Sequence, residues 1–336
     1  MQKNVKQHSI VRTILQWYKR QGRTLPWRNI TNAYRILVSE IMLQQTQVSR
    51  VLLKYPEFLH RFPALRSLAN AEQRDVVLAW QGMGYNNRAV RLHKFARVVV
   101  EKHRGRIPQD YDSLIALPGI GKYTAYALLS SAFGKQLPVV DVNVQRVISR
   151  IFWRMKSTSE MRNVKGIWKL AEAILFLHVI ARRSLPKQSR LAVAERLLRS
   201  ARNDKSTGKA YDWNQALMDL GATVCTARTP KCEVCPVAGL CSSRATMKRY
   251  NVVRSKREPS LDGIPNRFYR GRIIERLRKL NGTGSVSLNV LGREIYPKFE
   301  KKNEAWLRSL ISDLERDGLI RVKGNGTLQT SRVLLA

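Results

Sequence analysis

Acidic side chains are scarce in this sequence. Its 336 residues hold 24 Asp and Glu against 61 Lys and Arg, a formal charge of +37. Such an imbalance leaves the fold open but not the class of partner: it disfavours basic ligands and predicts binding to a polyanion, most often phosphate, that weakens as salt rises. Long apolar runs are also missing. The most apolar window, Ile174–Ile180, soon meets Arg182 and Arg183, far short of the roughly eighteen residues needed to cross a bilayer. It reads as a buried helix. No apolar stretch follows the opening charges, so the expectation is a soluble, intracellular protein without a secretion signal. Cysteine is rare, with four in all, between Cys225 and Cys241. That clustering excludes disulfides spread through a secreted fold and favours a metal site.

Strand signals are sparse before residue 318. Hydrophobic residues still make up 44% of the chain, enough for packed cores, and their spacing is helical. Ile10, Ile14 and Trp17 share one face of a first helix, which Pro26 ends. Further helices are expected around Ala33–Leu43, Thr46–Phe58, Val76–Gln81, Asn87–Lys102, Tyr111–Ala116, Tyr123–Ala132 and Asn143–Phe152. Pro56, Pro63, Gly82, Gly84, Pro108 and Pro118-Gly119 punctuate them. Lys187–Lys209 is a basic helix and loop, and 246–265 is a linker by composition. Beyond it, helices over Arg267–Leu280, Ser287–Tyr296 and Asn303–Asp317 precede two β-prone runs flanking Lys323–Gly326. Three helices and a hairpin are the order of a winged helix.

The cysteines follow the pattern C-x6-C-x2-C-x5-C: Cys225, Cys232, Cys235 and Cys241. Four thiolates in one short loop can converge on tetrahedral zinc or on an iron–sulfur cluster, and spacing alone does not choose. Pro236 after the third cysteine resembles ferredoxin loops and leans toward iron. Upstream, Leu117-Pro118-Gly119-Ile120-Gly121-Lys122-Tyr123-Thr124 joins two helices through a tight turn. Its glycines allow the backbone to approach a ligand, and the following helix N-terminus offers N–H groups to a phosphate. Such a hairpin grips DNA without reading sequence.

With those residues in view, six segments in order resemble the helix-hairpin-helix DNA glycosylase superfamily, and within it MutY-type adenine DNA glycosylases. They are Leu25-Pro26-Trp27-Arg28, Ser39-Glu40-Ile41-Met42-Leu43-Gln44-Gln45-Thr46-Gln47-Val48, Gly82-Met83-Gly84-Tyr85, the hairpin, Val140-Asp141-Val142-Asn143-Val144-Gln145-Arg146-Val147, and the cysteine loop. The resemblance implies a mainly α, two-domain helix-hairpin-helix glycosylase fold with an iron–sulfur loop, followed by a small winged-helix-like α+β domain. The expected division is a six-helix barrel over 30–145, a discontinuous cluster domain over 1–29 and 146–245, the linker, and the winged helix over 266–336. One [4Fe-4S] cluster is implied on the four cysteines. The implied partner is double-stranded DNA carrying a mismatch or damaged base, bound by a monomer, near the nucleoid if the source is prokaryotic.

Residue by residue, the resemblance makes Asp141 the carboxylate beneath the developing oxocarbenium sugar and Glu40 the acid that protonates the departing purine, as in glycoside hydrolysis. Apolar neighbours around Glu40 favour its protonated form. In isolation, Asp141 is equally a helix N-cap and Glu40 an ordinary surface glutamate. Tyr123 stands where bifunctional relatives carry a lysine, with Lys122 one position off, so a monofunctional hydrolase is expected. Gln45 and Tyr85 match residues that wedge into the duplex beside the flipped base. Trp27, Arg28, Gly119, Gly121, Lys122 and Asn143 are further expected DNA contacts.

Two departures stand out. Val142 follows the aspartate where the family usually has glycine, and the C-terminal region reads as a winged helix instead of the Nudix-like domain that inspects the base opposite adenine. The preferred reading of the resemblance is excision of adenine opposite guanine or 8-oxoguanine. Uracil or thymine opposite guanine is a second reading, and a non-catalytic winged-helix DNA-binding protein a third.

Overall fold

The computed structural model describes residues 2–153, 164–176, 208–249, 258–280, 284–324 and 326–336. The basic Lys187–Lys209 stretch falls almost wholly outside the described residues, as do 177–180 of the apolar window and 250–257 of the expected linker. Among the described residues, no helix is long and apolar enough to cross a membrane.

The chain forms two compact units. The first comprises 1–36, 109–115 and 120–255. Its core joins the N-terminal helix Gln2–Gln21, through Ile10, Val11, Ile14 and Trp17, to helices Val142–Phe152, Val164–Ile174 and Gly208–Asp219. Val144, Val147, Ile148 and Ile151 recur at helical spacing on one face of Val142–Phe152 and are buried in that core, as an amphipathic helix requires. Asn143, Arg146 and Arg150 recur on another face of the same helix.

The second unit comprises 37–108, 116–119 and 256–336. Helices Val48–Arg61, Leu65–Asn70, Gln73–Ala79 and Asn87–His103 occupy positions near those expected, apart from Leu65–Asn70, too short for its periodicity to register. Pro56 does not punctuate the third helix; it lies inside Val48–Arg61. Burial of Val51, Tyr55 and Phe58 along one stripe outweighs the lost hydrogen bond.

The C-terminal elements follow the winged-helix order: helix Asn266–Arg278, a short strand, helix Leu288–Ile295, helix Glu304–Arg316 and a hairpin. Before them, β1 (Ser260–Leu261) pairs with β2 (Ile264–Pro265). This corrects the linker expectation for 258–265, where Asp262 and Gly263 take φ of 48° and 73°. Two successive positive φ values are what a two-residue Asp-Gly hairpin turn demands. The main sheet has β3 (Val286–Ser287) and β4 (Ile320–Lys323) flanking β5 (Arg332–Leu335), all antiparallel neighbours.

This module shares a core with the helices before it. Val77 and Val90 pack with Tyr269, Ile273, Ile274 and Leu277. Arg278 donates to the Val77 carbonyl at 2.7 Å and to Asn86 Oδ1 at 3.0 Å, and Gln73 to the Gly318 carbonyl at 2.7 Å. The expected bounds therefore differ from the compact units: 266–336 belongs with 37–108, and 120–145 with the cysteine-bearing unit.

Candidate functional site

Asp141 caps the Val142–Phe152 helix. Its Oδ1 accepts from the Val144 amide at 2.7 Å and its Oδ2 from Asn143 Nδ2 at 2.8 Å. The carboxylate is thus half-buried and held at both oxygens, with a negative charge at a helix N-terminus where the macrodipole favours it. Asn143 is fixed in turn: Arg146 Nη2 donates to its Oδ1 at 2.9 Å and to the Gly221 carbonyl at 2.7 Å, while Arg146 Nε donates to the Cys225 carbonyl at 2.9 Å. A polar chain runs from Asp141 through Asn143 and Arg146 to the first cysteine. Close helix approach makes it possible, since a Cβ on Gly221 would lie 2.8 Å from that of Asn143. Val142, the departure from the family pattern, points outward and is 68% exposed.

Arg150, one turn further on, is 1% exposed. It donates to the Thr226 carbonyl at 2.6 Å and the Ala227 carbonyl at 2.9 Å, with Cys225 Sγ at 3.5 Å. The other end of the loop is tied down as well, by the amides of Ser242 and Ser243 on the Ile151 and Arg150 carbonyls, both at 3.1 Å. All four cysteines line one cavity with Ile151, Leu220 and Val224. Among the described residues, no three thiol, imidazole or carboxyl groups converge closely enough for a single ion. Four thiols lining one cavity fit an iron–sulfur cluster. Burial pushes the thiols of Cys232 and Cys241 up, and that of Cys235 up to about 11, so loading a cluster releases protons. When bound, the cluster would cross-link this loop through Cys225, Cys232, Cys235 and Cys241.

In the second unit, Glu40 is partly buried on helix Ala33–Leu43 beside the buried Ser39 and Ile41. The helix leads into the Gln44–Thr46 turn, where Gln45 adopts φ 57°. Tyr85 adopts φ 44° in the other turn singled out by resemblance. Left-handed backbone at non-glycine residues costs about 1–3 kcal/mol and persists only where the surroundings enforce it. Arg88 is the enforcing group, and the sequence reading missed it. Its Nη1 donates to the Ile41 and Met42 carbonyls at 2.8 and 2.9 Å and to that of Gln44 at 2.5 Å. Its Nη2 donates to Thr46 Oγ1 at 3.0 Å and to the Met83 and Gly84 carbonyls, each at 3.1 Å. The guanidinium also lies 5.5 Å from the ring centroids of both Trp80 and Tyr85. Burial lowers its pKa to about 10, so it stays cationic at neutral pH. A signal existed: Arg88 shares a helical face with Leu92, Phe95 and Val99, an unusual place for a solvated arginine.

The remaining expected residues separate by burial. Gly119 takes φ 78° and stands 3.1 Å, as a built Cβ, from that of Arg91. Gly121 caps helix Lys122–Ser131 through its backbone, with no side-chain cap. Tyr123 is half-buried on the first turn. Lys122 turns onto aromatic rings, with Nζ 4.1 Å from the Trp168 centroid and 5.5 Å from that of Tyr126. Trp27 and Arg28 are interior residues, 7% and 8% exposed. Arg28 donates to Asp219 at 2.7 and 2.9 Å. Burial alone would raise the Asp219 carboxyl, but hydrogen bonds and charge from Arg28 and Arg23 hold it below the usual range. A desolvated, bidentate Arg28–Asp219 ion pair fixes the Leu25–Arg28 turn.

Comparison with known proteins agrees with this geometry. Residues 38–172 match the HhH-GPD superfamily base excision DNA repair protein family, and residues 225–241 match the iron–sulfur binding domain of endonuclease III. An adenine DNA glycosylase of Mycobacterium tuberculosis is 36% identical over 266 residues, spanning 79% of this chain and 77% of that protein. The human adenine DNA glycosylase is 35% identical over 263 residues, 76% of this chain and 42% of its own length. A solved thermostable thymine-DNA glycosylase aligns at a TM-score of 0.58 and 31% identity, over 73% of this chain and 99% of its own. A non-covalent endonuclease III–DNA complex shares the fold at a TM-score of 0.54 and 19% identity, covering 72% of this chain and 96% of its own. The chain is a member of the HhH-GPD superfamily of base excision DNA repair proteins and, within it, of the adenine DNA glycosylase family.

Proposed function

We infer that this protein is a monofunctional DNA N-glycosylase that removes adenine mispaired with guanine or 8-oxoguanine. The observation that carries the reading is the doubly held Asp141 carboxylate on a helix anchored to the cysteine loop. Adenine as the leaving base follows from relatives of that name spanning most of the chain.

Each residue then has a defined task. Glu40 donates a proton to the purine ring, making the base a better leaving group as the N-glycosidic bond lengthens. Asp141 places negative charge against the sugar as positive charge develops on it. Because its oxygens are already oriented by Asn143 and Val144, little reorganisation accompanies that step. Glu40, once ionised, can accept a proton from the attacking water, leaving an abasic site. A β-elimination step needs an amine nucleophile, and Lys122 is engaged with Trp168 and Tyr126, which supports hydrolysis alone. Gln45 and Tyr85 occupy the space vacated by the everted nucleotide, and the Gly119–Gly121 hairpin holds a phosphate.

Single-turnover cleavage of duplexes carrying A:G, A:8-oxoguanine, U:G and T:G tests the reading. Excision of adenine by the wild type, lost in Asp141→Asn with duplex binding kept, is the expected result. Cleavage confined to U:G or T:G, or full activity in Asp141→Asn, overturns it.

A further inference from the structure

The second unit contains a groove of about 930 Å³, lined on one side by Gln45 and Tyr85 and on the other by Arg267, Phe268 and Arg270 of the C-terminal module. Both aromatic rings are open to it, with Tyr85 51% and Phe268 53% exposed. The Arg267 guanidinium sits 4.9 Å from the Phe268 centroid.

Charge narrows the occupant. In a chain of +37, the lining holds three arginines, Arg50, Arg267 and Arg270, against three acids, Glu258, Asp313 and Asp317. Arg267 pairs with Glu258, Arg270 with Asp317, and Arg316 with Asp313. An electroneutral groove does not track a phosphate backbone, which the rest of this basic surface is better suited to do. It suits an uncharged, flat, polar-edged group that can stack on a ring and hydrogen-bond at its rim.

We propose that this groove receives an unstacked nucleobase of the strand across from the excised base, with Phe268 and Tyr85 as its stacking surfaces. The proposal rests on the glycosylase reading, because Gln45 and Tyr85 mark the place where that strand loses its partner. Carboxylates paired to arginine keep spare lone pairs, and guanine carries N–H donors on its Watson–Crick edge. The C-terminal module thereby acts on the choice of opposing base, and its fixed seat on Val77, Val90 and Asn86 keeps the groove preformed.

The test uses the full chain and a duplex with 2-aminopurine opposite a non-cleavable abasic-site analogue, so it needs no excision. Wild-type binding should change the fluorescence of that base. Phe268→Ala should abolish the change and weaken the complex roughly tenfold or more, in line with loss of one base–aromatic stack, while its melting temperature stays near wild type. Phe268→Trp should restore the signal. Excision rates opposite guanine, 8-oxoguanine and cytosine should converge in Phe268→Ala. An unchanged signal and unchanged rate ratios in that variant overturn the proposal, leaving the face for protein contact. Failure of the wild type to excise any base would overturn the glycosylase reading instead.

Discussion

Asn143 Nδ2 donates to Asp141 Oδ2 at 2.8 Å, and Asn143 is itself held through Arg146, whose Nε reaches the Cys225 carbonyl. The cysteine loop is in this way connected to the orientation of one carboxylate. A hydrogen bond to a charged group is worth about 1.5–3 kcal/mol. Asn143→Ala should therefore slow excision by roughly 10- to 100-fold, with iron content unchanged. Gly221→Ala should act in the same direction by pressing on Asn143. Wild-type single-turnover rates in both variants would contradict the connection.

Arg88 makes a second prediction. Replacement by methionine leaves buried carbonyls of both the Gln44–Thr46 and Met83–Gly84 turns without donors, each at a cost of about 1–3 kcal/mol. Urea midpoints should fall by the equivalent of at least about 3 kcal/mol. Arg88→Lys should not restore them, since an ammonium cannot span both turns. A lysine variant as stable as wild type would show that charge alone suffices.

The Arg28–Asp219 pair predicts acid sensitivity. The folded-state pKa of Asp219 is depressed, so its contribution is complete above the ordinary carboxylate pKa of about 4 and is lost as pH falls through the folded value. Asp219→Asn leaves Arg28 buried without its counter-ion and should lose about 3–5 kcal/mol at neutral pH. Its stability should also vary less with pH below about 4. Denaturant melts from neutral to acid pH check both; parallel curves for the two proteins would refute the assignment.

Cluster loss is the fourth prediction. Cys235→Ser should abolish bound iron and acid-labile sulfide together, and Arg150→Leu should speed iron loss to chelator by freeing the Thr226 and Ala227 carbonyls. Zinc at one atom per chain in the purified protein would refute a four-iron centre.

The cysteine spacing, the hairpin glycines and the Asp141 segment were legible because each is local: a loop, a turn and a cap are specified by residues a few positions apart. Helices with strong periodicity, such as Ala33–Leu43, were legible for the same reason. Arg88 and Arg150 were not, because an arginine in a chain with 61 basic residues looks like solvated charge until its acceptors are known. Several of those acceptors come from distant segments, the Ile41, Met42 and Gln44 carbonyls for Arg88 and the Thr226 and Ala227 carbonyls for Arg150.

Arg28 has a long-range partner of the same kind. Nothing in its motif position points to Asp219, 191 residues away. Composition and short-range pattern determined that this is a helical, polyanion-seeking protein with a cysteine-bound centre and a winged-helix tail. Only the tertiary structure decided that the tail packs onto helices Gln73–Ala79 and Asn87–His103 and shares a neutral groove with Tyr85. Packing partners and charge pairing are long-range properties, set by which faces meet when the chain closes on itself.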